Sequence, residues 1–402
     1  MNSTPQQQFK FLVDESTDAL LMGGEQRGHT ERSRSTQTPN PKFQTSNFKD
    51  PAAARQRAAV RRWKVIENLD RYLIEFEANF NKAGAKVLWA RDVEEAQLAI
   101  NEVLTKNFVK EVYTAGTGVI NEIDLHNFLN SEDIKISSLD DADALTSVVI
   151  TEASFFIADP GVIVLGKVSR ALQTAFAKSR CVIAVAGIND VLPNLGDLSL
   201  FLPLKTLHSK TTETDTTLLF GPRQQNEEVT RELYFLIVDN GRSNLLADKQ
   251  MRQSTWCINC GACNTVCPVA TTIGIKDGVY EGPIKAAQMP FVKDFEEHQY
   301  VTRASTLCGA CTQVCPVHIK LHELFIHNRH KAVALQLTPQ KEKWFYLLWK
   351  KTMLKRDKFN IGGFKSNRLV METVYEKVWG IKETLPPFAK KSFNQMWKER
   401  EK

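Results

Sequence analysis

At 402 residues the chain has room for two or three domains, each with its own core, and 43% hydrophobic against 24% charged residues is ordinary for a soluble globular protein. A formal net charge of +6 is small for this length: it suits an acidic partner or an anionic membrane surface but does not call for nucleic acid. No run of about 18 apolar residues occurs, which excludes a transmembrane helix, and residues 1–8 are polar, without the charged-then-apolar order of a secretory signal, so a cytoplasmic protein is expected.

Residues 1–50 read as a poorly ordered segment, because the stretch 24–49 is rich in Ser, Thr, Gln, Asn and Arg and almost lacks aliphatic side chains. Residues 51–84 hold a helix, predicted over 51–82. Ile66, Leu69, Leu73, Phe76 and Phe80 recur at spacings of three and four, and Gly84 ends the run. From 85 to 248 the pattern becomes α/β. Strands are expected at 86–90, 111–114, 154–157, 162–165, 181–186, 217–220 and 233–238, with helices at 93–105 and 123–129 between them. This alternation predicts a mainly parallel sheet. Ala115-Gly116-Thr117-Gly118 follows a strand, where a phosphate-cradling loop could sit, and Thr114, Thr117 and Asp159 could line such a pocket; an ordinary tight turn is the favoured reading. Cys181 sits alone in an apolar run and is expected in the core.

Residues 249–330 carry the chemistry. Of eight cysteines seven fall within 59 residues, and in a reducing compartment such crowding points to metal rather than to disulfides. The first motif is Cys257-x2-Cys260-x2-Cys263-x3-Cys267-Pro268. Three cysteines at intervals of three wrap one iron–sulfur cluster, and the fourth, on the next turn, points to another. Zinc sites favour paired C-x2-C units without the C-P ending. The second motif, Cys308-x2-Cys311-x3-Cys315-Pro316, lacks a leading cysteine, since Ser305 holds that register. Cross-ligation then gives Cys257, Cys260, Cys263 and Cys315 to cluster one, and Cys267, Cys308 and Cys311 to cluster two. Cluster two is one thiolate short. It is a three-iron species, or a four-iron cluster with Ser305 (less readily His318 or His322) as eighth ligand, or one with an open iron able to act as a Lewis acid. The favoured reading is two [4Fe-4S] clusters, with [3Fe-4S] the alternative for the second. Helical stretches at 283–289 and 321–330 suggest an all-α ferredoxin-type domain.

Residues 331–402 form a basic, aromatic, helical extension. Residues 341–358 mix Trp344, Phe345, Tyr346 and Trp349 with lysines, a pattern suited to an anionic membrane face, to a partner, or to packing on the cluster domain.

Trp256-Cys257-Ile258-Asn259-Cys260-Gly261-Ala262-Cys263, Leu307-Cys308-Gly309-Ala310-Cys311 and Leu321-His322-Glu323-Leu324 carry a resemblance to the lactate-utilisation protein B family. Gly221-Pro222-Arg223, Asp239-Asn240-Gly241-Arg242-Ser243 and the helix around Asn68-Leu69-Asp70 fit it too, so the likeness runs from about residue 51 to 330. It implies an α/β domain similar to the ribose-5-phosphate isomerase and CoA-transferase superfamily, followed by a helical two-cluster domain. It also implies a place in a three-protein system oxidising L-lactate to pyruvate. A serine at the eighth ligand position is typical of that family. The chain departs from it at Ala115-Gly116-Thr117-Gly118 and Ala158-Asp159-Pro160-Gly161. The resemblance favours a non-catalytic electron-transfer subunit, whose partners are the other subunits and a donor and acceptor protein or quinone. A stand-alone enzyme binding an organic acid beside an open iron, and a redox sensor stabilised by its clusters, are the alternatives.

Overall fold

The structure, a computed structural model, describes residues 4–22, 48–137, 148–166, 168–206, 216–222, 224–226, 229–276, 278–355, 390–391 and 393–400. The chain divides into two compact units, Met1–Val13 with Arg32–Lys331, and Asp14–Glu31 with Ala332–Lys402.

The stretch expected to be poorly ordered begins with a helix, α1 (Pro5–Met22). Its Phe9 ring finds an aromatic seat, 5.4 Å from Tyr300 and 6.2 Å from Tyr280, which the polar composition around it does not foretell. Residues 23–47 of that stretch lie outside the described residues. The expected helix 51–82 is two helices, α2 (Pro51–Glu67) and α3 (Leu69–Lys82). Asp50 caps α2 by accepting from the Ala53 amide, and Pro51 starts it where no amide donor is needed. Asn68 breaks the pair: its backbone leaves helical geometry while its side-chain amide donates to the Lys64 carbonyl at 2.8 Å. Phe76 and Phe80 of α3 are fully buried and meet Phe156 and Phe235 edge to face.

The α/β region runs β1 (Lys86–Ala90), α4 (Val93–Lys106), β2 (Glu111–Ala115), α5 (Val119–Glu122), α6 (Leu125–Ser131), β3 (Lys135–Ser137) and β4 (Val148–Glu152). Then follow β5 (Phe155–Asp159), β6 (Val162–Leu165), α7 (Arg170–Lys178), β7 (Cys181–Gly187), β8 (Val191–Asn194), α8 (Leu198–Thr206) and β9 (Thr217–Leu219). It closes with β10 (Gln224–Asn226), β11 (Val229–Thr230), β12 (Glu232–Val238) and α9 (Arg242–Ala247). One sheet, in the order β1-β12-β7-β4-β2-β3, is parallel throughout. Its central strand β7 is buried along its whole length, as a strand covered on both faces must be, and Cys181 lies there. A second sheet, β8-β5-β6-β9, is mixed. Every strand expected from sequence is present within two residues of its expected bounds. The expectation missed β4 and the shorter strands β3, β8, β10 and β11, which span two to four residues each and are too short to show a period of two.

From Met251 onward the described backbone is short helices and turns, with a bridge between Lys276 and Tyr280. The helices are α10 (Ala262–Val266), α11 (Pro268–Ile273), α12 (Pro283–Val292), α13 (Phe295–His298), α14 (Ala310–Val314) and α15 (Leu321–Ala334). In the second unit, α16 (Gln340–Met353) leaves Trp344, Phe345, Tyr346 and Trp349 exposed. Among the described residues no helix is long and apolar enough to cross a membrane.

Candidate functional site

The two cysteine motifs fold as a repeat. In each, the residue before the second register position has a positive φ, +52° at Asn259 and +56° at Leu307. A left-handed glycine then starts a five-residue helix, Gly261 before α10 and Gly309 before α14. Nothing lies within 4 Å of where a Cβ would stand at either glycine, so it is the backbone conformation, at φ +71° and +76°, that favours glycine here. The repeat extends to Ser305. Its hydroxyl accepts the Leu307 amide at 3.2 Å, as the Cys257 sulfur accepts the Asn259 amide at 3.3 Å. Ser305 therefore stands where the first motif has its leading cysteine.

The thiols gather by set rather than by motif. Cys257, Cys260, Cys263 and Cys315 line one cavity of about 180 Å³. Cys267, Cys308 and Cys311 line a second of about 10 Å³, together with Ser305 and His322. Electrostatics sorts them the same way. Burial pushes the Cys260 thiol up to about 12, with Cys257 and Cys315 adding to it. Burial, then Cys257, Cys260 and Cys315, raises Cys263 well above its ordinary value. Burial, then Cys267 and Cys308, pushes Cys311 up to about 11. Cys308 is the exposed member, and backbone and Thr306 hydrogen bonds lower its pKa.

This donor set fits iron–sulfur clusters. Among the described residues no three Cys, His, Asp or Glu close on a single metal ion, whereas thiols spread round a cavity suit a multinuclear group. Sulfur also meets donors, the Asn259 amide at Cys257 and the Ile319 amide at Cys315 (3.4 Å). Of the histidines weighed as ligands, His322 lines the second cavity with Nδ1 2.9 Å from the Thr312 hydroxyl. His318 is not among the residues lining either cavity.

Beside the first cavity lies a cleft of about 870 Å³ at the C-terminal ends of β2 and β4, and its wall includes Asn259 and Cys260 of the cysteine loop. The Ala115–Gly118 loop borders it, but the phosphate-cradle expectation is corrected. The Glu152 carboxylate already accepts the Thr117 and Gly118 amides, at 3.1 and 2.7 Å, and a Cβ on Gly118 would fall on that carboxylate. The pocket suggested from Thr114, Thr117 and Asp159 does not assemble. Thr117 borders the cleft, Thr114 pairs with His126, and Asp159 sits exposed at the end of β5.

Of the charged residues of the site, Arg242 lies in a segment that carried the resemblance, whereas Arg62, Glu122 and Lys285 carried no sequence signal. The Arg62 side chain is fully buried and donates to the carbonyls of Trp256, Val191, Asn189 and Thr255, at 3.1, 3.0, 2.5 and 3.0 Å. Burial lowers its pKa to about 10, partly offset by Asp190 and Cys257. Arg242 grips Glu122 with two bonds, at 2.6 and 2.9 Å, and Asn189 with a third, while Lys285 reaches Glu122 at 3.1 Å. Burial alone would raise the Glu122 pKa, but Arg242 and Lys285 hold it well below the usual carboxylate range. Helix α2, the end of β7, α9, α12 and the cysteine loop are thus joined through buried polar groups.

Residues 73–234 match the family model of the LUD domain, and residues 253–319 match that of the 4Fe-4S dicluster domain. The chain is 28% identical over 389 residues to Lactate utilization protein B of Bacillus velezensis, covering 81% of this chain and 80% of that one. Against Lactate utilization protein B of Bacillus subtilis it is 27% identical over 389 residues, with the same coverage. A solved structure of a DUF162 family protein from Deinococcus radiodurans aligns with 42% of this chain and 98% of its own, at 18% identity and a TM-score of 0.31.

Proposed function

We infer the role of this chain from the premise that it is a homologue of the proteins named Lactate utilization protein B, with a LUD domain followed by a 4Fe-4S dicluster domain: it is an iron–sulfur electron-transfer subunit of a system oxidising L-lactate to pyruvate. The observation that carries this reading is the gathering of seven cysteines from two motifs into two sets, each around its own cavity. Cys257, Cys260, Cys263 and Cys315 would hold one cluster, and Cys267, Cys308 and Cys311 the other, in a helical ferredoxin-type domain spanning 249–330. Bound there, the clusters supply one-electron transfer, both most simply as [4Fe-4S]. The protein's own groups set the conditions. Ile258, buried against the first set, excludes water, and amide donors at Cys257 and Cys315 stabilise thiolate charge. Cys308, exposed, is the point nearest to solvent and so to a donor or acceptor protein or quinone.

Purified without oxygen, the chain should carry about eight irons. Alone it should not turn over L-lactate, and its visible absorbance should bleach when L-lactate and the partner subunits are both present. Turnover by the chain alone would instead support the stand-alone enzyme, and bleaching that never depends on partners would remove the subunit reading.

Ser305 is the eighth ligand position in this reading. Ser305→Cys is expected to complete four-thiolate ligation of the second cluster. The wild-type protein should then shed iron on brief exposure to air, giving an oxidised three-iron signal in electron paramagnetic resonance, and the variant should not. Equal signals from both would detach Ser305 from the cluster.

A further inference from the structure

The cleft beside the first cysteine set has charges that the cluster reading does not use. Of the cations on its wall, Arg242 and Lys285 are committed to Glu122. Lys205 is not. Its ammonium donates to the Ser154 carbonyl at 3.3 Å and lies 4.8 Å from the centre of the Phe155 ring, and among the described residues no carboxylate lies within ion-pair distance of it. The amide pair of the Gly116–Gly118 loop, the other anion-attracting feature of the wall, is taken by Glu152. Burial lowers the Lys205 pKa, while the charges of Asp190 and Glu152 work against that and favour its ammonium form. An anion brought into the cleft would also face the Glu152 carboxylate, which disfavours a phosphate dianion more than a single carboxylate. Ser199 and Thr206 border the same space, their hydroxyls donating to the Gly196 and Leu202 carbonyls at 2.8 and 3.1 Å, and Leu198 and Leu202 of α8 line it together with Leu172 of α7.

We propose that this cleft binds a monoanionic organic acid, its carboxylate on Lys205, a hydroxyl substituent where it carries one donating to the Ser199 or Thr206 oxygen, and its carbon chain along the leucine side chains. About 870 Å³ exceeds what a three-carbon acid fills, so longer acids gain contact there. Because Asn259 and Cys260 form part of the wall, the bound acid lies against the loop of the first cysteine set. The site stands whether or not the clusters pass electrons.

Calorimetry on the cluster-containing full chain, without partner subunits, tests it with L-lactate, pyruvate, 2-hydroxyhexanoate, inorganic phosphate and flavin mononucleotide. The acids are expected to bind, with up to about fourfold tighter binding per added methylene buried, and phosphate and the flavin nucleotide are expected not to. Lys205→Gln should weaken acid binding at least tenfold. Leu202→Trp, which fills the cleft without altering its charge, should weaken it as well, with iron content and circular dichroism unchanged in both. No acid binding at millimolar concentration, tighter binding of phosphate or the nucleotide, or wild-type affinity in both variants would overturn the proposal. None of these outcomes depends on electron transfer, so failure here is separable from failure of the subunit reading.

Discussion

Cys315→Ser is expected to abolish the cluster of the first motif while sparing that of its own. The variant should retain about half of the wild-type iron, and its residual paramagnetic spectrum should match that of Cys260→Ser. Cys267→Ser, by the same logic, should give the spectrum of Cys311→Ser, although Cys267 ends the first motif. The reason is spatial. Cys315 lines the cavity of Cys257, Cys260 and Cys263, and its sulfur already accepts the Ile319 amide there. Cys181→Ser serves as control, because that thiol lies buried in β7, raised to about 12 by burial and then by Glu232, and should leave the iron count unchanged. Spectra that sort by motif rather than by cavity would refute the crossed assignment.

The second large effect is expected at Arg62. Its guanidinium is fully buried and serves four backbone carbonyls from two separate segments, the turn after β7 and the approach to Cys257. Arg62→Met removes the donors and leaves buried acceptors unpaired, which costs about 3–5 kcal/mol. In a domain of this size that lowers the thermal midpoint by roughly 6–20 °C. Arg62→Lys keeps the charge but cannot reproduce the planar fork, and should recover only part of the loss. Thermal unfolding followed by circular dichroism under argon measures both. Midpoints within about 2 °C of wild type would show that the carbonyls find other donors.

The parallel sheet was legible because its strands are short β-branched runs, and apolar on both faces, with helices between them. The break at Asn68 was not, because it depends on one residue whose side chain turns back on the helix, and β4 and the shortest strands were not, because they are fixed by pairing with distant neighbours. Among the cysteines, the motif spacing anticipated which thiols share a cavity. The register of Ser305 follows from counting back from Cys308, and the matching amide bonds at Cys257 and Ser305 agree with that count. The charged residues are another matter. Arg62, Lys205, Glu122 and Glu152 sit in unremarkable sequence surroundings, and their roles come from long-range packing that no local pattern encodes. The Gly116–Gly118 loop shows the converse. Its pattern suggested an anion from outside, and the chain fills the loop with a carboxylate of its own, 34 residues further on from Gly118.

Synthesis order gives Arg62 a further significance. The Trp256 carbonyl it serves lies 194 residues downstream. At a translation rate of about 5–20 residues per second, roughly 10–40 s separate the making of the guanidinium from the making of its last acceptor. During that interval α2 has no finished place to bury its arginine, and the α/β sheet that forms meanwhile lacks this clasp. The emerging cysteine loop, then, completes the seat of α2, and a ribosome-bound chain stopped before residue 256 should hold that helix loosely.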